Sequence, residues 1–212
     1  MKTLIAIPCM DTVPYEFAQA LLWLKKGQDV TVLFRANSLV YDSRNLISLA
    51  AMENHFDRVM WFDSDIVFQP DTMERLHADM DRYHADMVTG LYVKRHTPVE
   101  PVIYSTVMEP ATDSTGKPVN RVTPCTEYPK DDVFPVEGCG FGCVMTSVQI
   151  LRDVWKRFGP AFAPLPWTGE DISFCWRARQ LGASILCDSG VNCGHIGKMI
   201  YTDDMLKRGE ET

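Results

Sequence analysis

Val59-Met60-Trp61-Phe62-Asp63-Ser64-Asp65 is the stretch on which the fold turns. Four consecutive apolar residues suit a strand buried on both faces, with Asp63 at its carboxyl end. Toward the N-terminus, residues 30–34 form a second such run, rich in β-branched residues and expected to be buried, and residues 4–8 form a third. Phe17, Ala20, Leu21 and Leu24 recur between them at helical spacing, ending at Gly27. A further helix carries Leu46, Leu49 and Ala50 on one face, with Asp42 or Ser43 placed to cap it. Strand, helix, strand, helix, strand predicts a parallel α/β sheet.

Toward the C-terminus, Met73, Leu76 and Met80 mark a helix after Pro70, and residues 87–93 a strand. Residues 108–132 turn to Pro, Thr, Asp, Gly and Lys, the composition of a long loop or irregular hairpin that serves as a lid or as a surface excursion. A strand at 133–136 leads into Gly138-Cys139-Gly140-Phe141-Gly142-Cys143. Helices over 148–158 and 171–181, a short strand at 184–187 and a charged, mobile tail at 202–212 complete the pattern. At 212 residues, 46% hydrophobic and 23% charged, the chain suits one globular domain. A net charge of −7 argues against a broad nucleic-acid surface, although Lys94, Arg95 and His96 form a local basic run. No apolar run approaches a membrane span, and Pro8 and Asp11 interrupt the only signal-like opening. Seven cysteines without an export signal point to reduced thiols and a cytoplasmic location.

Three short motifs could carry chemistry. Asp63 and Asp65 lie at a strand's carboxyl end, where ligands of open α/β sheets collect. In an extended segment both would project to one side. Like charges held together need a bridging cation, and a hard divalent ion carrying a diphosphate meets that need. Taken alone, the motif also suits a turn with two solvated aspartates. Gly169-Glu170-Asp171 opens a helix, where carboxylates either cap the free N–H groups or act as a general base. Cys193-Gly194-His195-Ile196-Gly197 sets an imidazole between glycines, free to reach a metal. His55, His77, His84 and His96 lack ligand spacing and read as structural.

In this order and spacing, from Leu4 to Gly197, the motifs resemble GT-A glycosyltransferases, most closely the small stand-alone enzymes related to family 2, phage enzymes included. The likeness is strongest over Asp171-Ile172-Ser173-Phe174-Cys175-Trp176-Arg177-Ala178 and from Gly182 to His195. It implies an α/β, Rossmann-like three-layer sandwich with a mostly parallel central sheet. It also implies a hexosyltransferase-like enzyme that moves a sugar from a nucleoside-diphosphate donor to a hydroxyl. Asp63 then contacts the ribose or a water on the ion, while Asp65 and His195 ligate Mn2+ or Mg2+. Asp171 becomes the base and Glu170 its catalytic neighbour, while Pro8, Arg44, Asn45 and Ser64 face the nucleotide. Gly138 and Gly140 allow the donor sugar close to the backbone. Arg35-Ala36-Asn37-Ser38 stands where many relatives carry an acidic residue for the base, which leaves the nucleotide open. The acceptor could be a glycan, a lipid-linked glycan, a protein or a modified nucleic-acid base.

Two other readings compete. Asp63-Ser64-Asp65-Ile66-Val67 also fits the nucleophile motif of haloacid-dehalogenase-type phosphohydrolases, though a full βαβ unit precedes it. Cys139, Cys143, Cys193 and His195 could instead close a four-ligand zinc site in a non-enzymatic module.

Overall fold

The computed structural model describes residues 1–95 and 99–197. His96 and the tail at 202–212 lie outside the described residues. The chain runs β1 (Thr3–Cys9), α1 (Tyr15–Trp23), β2 (Val30–Ala36), α2 (Val40–Glu53), β3 (Arg58–Phe62), β4 (Ile66–Val67), α3 (Thr72–Tyr83) and β5 (Met87–Leu91). It continues through β6 (Ile103–Thr112), β7 (Pro118–Pro124), β8 (Val133–Pro135), β9 (Gly138–Cys139), β10 (Cys143–Ser147), α4 (Val148–Phe158), α5 (Glu170–Gln180), β11 (Ile185–Asn192) and β12 (Gly194–His195).

The central sheet has seven strands in the order β2-β1-β3-β10-β5-β11-β8. β1 is parallel to β2 and β3, and β11 to β5, while β10 and β8 run against their neighbours. Five of the seven strands therefore point the same way. Alternation along the buried strands sorts the core into two layers. Leu4, Ala6, Val59 and Trp61 pack with α2, α4 and α5 on one face, whereas Ile5, Ile7, Met60 and Phe62 pack with α1 and α3 on the other. This is the expected three-layer sandwich. An aromatic cluster anchors the first layer: Trp61 lies 5.4 Å from Phe162 and 5.8 Å from Phe141, and Phe162 stacks on Phe174 at 4.7 Å. The Trp61 indole N–H donates to Thr146 Oγ1 at 3.0 Å, so the ring is buried without an orphaned donor.

Several expectations need correction. β2 is an edge strand, not a buried one, and leaves Val32 and Phe34 exposed because, among the described residues, no strand pairs beyond it in the sheet. α1 ends at Trp23, short of Gly27. α2 begins at Val40, with Leu39 as a cap that makes no side-chain bond, so neither Asp42 nor Ser43 caps it. It also buries Arg44, Ile47, Ser48, Ala51 and Met52 rather than Leu46, with Leu49 only partly buried against the core. Of the two forms expected for residues 108–132, the irregular hairpin is the one found: β6 and β7 pair with two register shifts. The last strand is longer than expected, running through a bulge to Asn192.

Of the histidines read as structural, His55, His77 and His84 lie among the described residues. His55 and His84 adopt left-handed conformations at helix ends. His77 is held by Arg58 and Thr3, and burial, then the Arg58 charge, lowers its pKa to about 4. All seven cysteines are free thiols. Among the described residues no helix is long and apolar enough to cross a membrane.

Candidate active site

β3 delivers Asp63 to the carboxyl edge of the sheet, and the chain then turns sharply. Ile66 N–H donates to Asp63 C=O at 3.2 Å, closing a turn over Asp63-Ser64-Asp65. The motif is thus a turn rather than an extended segment, and its two carboxylates find different cations. Even so, both line one cleft of about 340 Å³, together with Pro8, Cys9, Met10, Ser38, Ser43, Arg44, Ser64, Glu170 and Asp171. Both also line a second hollow beside it with Tyr92, Lys94, Arg95, Tyr104 and His195.

Arg44 is the hub of the first cleft. Only 2% of its side chain is exposed; Nη2 donates to Asp63 Oδ1 at 2.7 Å and Nη1 donates to Glu170. Its guanidinium carbon lies 5.2 Å from the centre of the Phe141 ring, on the edge of the aromatic cluster. Burial opposes its charge, but Asp63, Glu170 and Asp171 together hold its pKa above the ordinary value. A bidentate guanidinium is suited to pinning two carboxylates that come from β3 and α5.

Asp171 occupies the first turn of α5, and its Oδ1 accepts from the Ile172 N–H at 2.7 Å. Burial, followed by the Glu170 charge, raises its pKa to about 6, against the opposing pull of Arg44 and the Ile172 N–H. The two acids of this pair are thereby differentiated: Glu170 is spent on Arg44, while Asp171 is half-buried and poised to exchange a proton near neutral pH.

His195 comes back from far along the chain. β12 pairs antiparallel with β4, setting His195 opposite Ile66, and Ile196 N–H donates to Asp65 C=O at 2.8 Å. His195 Nδ1 lies 2.7 Å from the Val93 carbonyl, which can only accept, so Nδ1 is the donor and, in the neutral imidazole, Nε2 carries the lone pair. That free Nε2 is 3.6 Å from Asp65 Oδ2. Two ligands at roughly 2.0–2.2 Å from one ion lie about 3–3.6 Å apart, so this carboxylate and imidazole fit a shared divalent cation. A backbone carbonyl fixing the far nitrogen is the usual support of a metal-ligating histidine. Among the described residues no group of three or more ligating side chains forms, so such an ion would need oxygens from its ligand or from water. The Tyr92 ring meets His195 edge-on at 5.5 Å. Burial, and then Asp63, push the Tyr92 phenol well above its ordinary pKa, so it stays neutral.

Other expected positions land elsewhere. Asn45 turns away from Asp63, and its Oδ1 accepts from Phe162 N–H at 2.9 Å, fastening α2 to the loop after α4. Gly138 and Gly140 do not line either hollow. A Cβ on Gly140 would lie 2.1 Å from Tyr92 Oη, and one on Gly138 would lie 2.8 Å from Val107. These glycines admit Tyr92 and the β6 side chains rather than a sugar. The same packing presents Gly142, whose N–H donates to Tyr92 Oη at 3.0 Å and whose C=O accepts from Asp63 N–H at 3.0 Å. The zinc-module set is split by the sheet: Cys139 belongs to the core layer of α2, α4 and α5, and Cys143 and Cys193 to the other. Residues not singled out from sequence, above all Tyr92 and Tyr104, join the site through sheet order, for which the sequence carries no local signal.

No protein-family model matches the chain, and no curated protein matches it in sequence. Solved structures do. The crystal structure of A197 from STIV aligns with a TM-score of 0.68 at 18% identity, over 93% of this chain and 87% of that one. That of GalNAc-T7 with UDP, GalNAc and Mn2+ aligns at 0.61 and 10% identity, over 94% of this chain and 44% of that one. The chain thus spans less than half of GalNAc-T7. At these identities the likeness shows the fold, which is GT-A. The phosphohydrolase alternative presumes a different fold.

Proposed function

We propose that the chain is a metal-dependent glycosyltransferase that moves a sugar from a nucleoside-diphosphate sugar to a hydroxyl. The observation that carries this reading is the convergence of Asp63, Asp65, Glu170, Asp171 and a tautomer-fixed His195 around adjoining hollows at one sheet edge of a GT-A fold. Pro8 and Ser64 line the first hollow beside Arg44, where the nucleotide is proposed to lie. Asp65 and His195 are proposed to hold the ion. Manganese suits a carboxylate–imidazole pair somewhat better than magnesium, and GalNAc-T7 was solved with Mn2+. When bound, the ion supplies Lewis-acid stabilisation of the charge that grows on the departing diphosphate.

The remaining work falls to side chains. The acceptor hydroxyl loses its proton to the Asp171 carboxylate as its oxygen attacks the anomeric carbon, and the bond from that carbon to the phosphate oxygen breaks. A pKa of about 6 leaves Asp171 ionised at neutral pH yet basic enough to share the proton, as an inverting course requires. In a retaining course Asp171 orients the acceptor instead. Arg44 fixes Glu170 and Asp63, and so positions Asp171 relative to the donor pocket.

A screen of nucleotide sugars for manganese-dependent donor hydrolysis tests the reading. Turnover of at least one donor that disappears in Asp65→Asn is expected. Absence of both hydrolysis and metal-dependent nucleoside-diphosphate binding across the panel would refute it.

A further inference from the structure

The two aspartates of the turn are each neutralised by an arginine, and the two arginines differ in kind. Arg44 is buried, grips two carboxylates and has no room to leave. Arg95 is half exposed; its Nη1 lies 2.8 Å from Asp65 Oδ2, on the same oxygen that faces His195 Nε2 at 3.6 Å. The same Nη1 donates to the Ile196 carbonyl at 3.1 Å, and the Arg95 stem runs within 3.6 Å of where a Cβ on Gly197 would stand. Arg95 thus clasps the segment carrying His195 to the aspartate, with its cation on the Asp65 oxygen that an ion shared with His195 would use. A guanidinium and a divalent ion compete for one carboxylate oxygen, because like charges at that distance repel.

On the donor-site reading above, we propose that Arg95 is an exchangeable counter-cation. It holds Asp65 in the free protein, yields that oxygen to the divalent ion, and then turns to the anionic diphosphate that accompanies the ion. Holding the place is inexpensive, because an exposed ion pair is weak and readily exchanged. Releasing it beside the diphosphate is productive, because a planar guanidinium matches phosphate oxygens in a bidentate fork. Two consequences of opposite sign follow. Arg95 competes with the ion when the ion is alone, and assists it when a diphosphate is present.

The experiment titrates Mn2+ alone into wild type, Arg95→Met, Arg95→Lys and Asp65→Asn, following free Mn2+ by electron paramagnetic resonance. It then titrates inorganic pyrophosphate at fixed Mn2+ by calorimetry. Arg95→Met is expected to bind Mn2+ roughly two- to fivefold more tightly than wild type, the range set by losing an exposed competing ion pair. It should bind Mn2+-pyrophosphate about tenfold more weakly, as expected for loss of a charge-assisted contact. Arg95→Lys should stay close to wild type with Mn2+ alone and recover part of the pyrophosphate affinity. Mn2+ binding that needs Asp65 but is unchanged or weakened in Arg95→Met overturns the exchange while leaving the donor site standing. Tighter Mn2+ binding with unaltered pyrophosphate affinity overturns the diphosphate contact. Mn2+ binding indifferent to Asp65→Asn removes the donor site and the exchange with it.

Discussion

Asp171→Asn should make the protein more stable and less active, and the two changes have one cause. Folding raises the Asp171 pKa from 3.8 to about 6, chiefly by burial and then by Glu170. The folded state therefore prefers the neutral acid, and holding the charge at neutral pH costs at most about 3 kcal/mol. Against this, a carboxylate in the first turn of α5 gains about 0.3–1 kcal/mol from the helix N-terminus, which asparagine forgoes. Partial exposure to water trims the penalty further. The net gain for the variant comes to roughly 1–2 kcal/mol above pH 6, or about 2–8 °C in Tm for a domain of this size. The sign with pH is fixed by linkage. Below about pH 4 both states hold the proton and the variant gains nothing. Between pH 4 and 6 the unfolded chain releases it while the folded one retains it, so wild type loses ground as pH rises; above 6 the gap is constant. Thermal melts of both proteins at pH 4, 5, 6 and 8 measure this, alongside transfer rates, which should fall about 100-fold or more with donor binding nearly unchanged. In wild type the rate itself should decline on the acid side with an apparent pKa of about 6. A variant that melts lower at pH 8 by the equivalent of about 1 kcal/mol, with normal turnover, would return Asp171 to a helix-capping role and refute the assignment.

Asp65→Asn should abolish metal-dependent nucleoside-diphosphate binding while leaving the melting temperature near wild type; calorimetry showing unchanged affinity would sink the donor site. Arg44→Met strands Asp63 and Glu170 beside each other and should cost about 3–5 kcal/mol, nearer 3 because a third of the Asp63 side chain is exposed to water. Denaturant melts check this, and a loss under 1 kcal/mol would mean the hub is dispensable. Gly140→Ala drives a methyl to within 2.1 Å of Tyr92 Oη and should cost about 1–3 kcal/mol by overpacking; a neutral result in the same melts would show that Tyr92 is free to move. In a crystal structure with a divalent ion and a nucleoside diphosphate, His195 Nε2 should lie about 2.0–2.3 Å from the ion, and an imidazole pointing to solvent would return it to an ordinary surface residue.

The sequence by itself determined the layers and the sheet edge. Apolar runs at residues 4–8 and 59–62 with helical spacing between them define buried parallel strands, because period and burial are local properties of a segment. Asp63 at the end of such a strand is at a ligand edge whatever the rest of the chain does. Local pattern failed where the outcome depended on distant partners. Val30-Thr31-Val32-Leu33-Phe34 reads as buried, yet whether a strand lies at the centre or the edge is decided by which strands flank it. The buried face of α2 includes Arg44, which is held by Glu170 more than a hundred residues later, and no helical period can register that contact. Gly138 and Gly140 carried a genuine requirement for space, but only the fold shows that Tyr92 and Val107 fill it. Family resemblance alone suggested that His195 meets Asp65; the tertiary structure decided that it does, that Glu170 serves Arg44 while Asp171 remains available, and that Arg95 pairs with the same Asp65 oxygen. The physical reason is common to all three. Charges act through space over a few ångströms, and the sequence fixes which charges exist but not, until the sheet closes, which of them are neighbours.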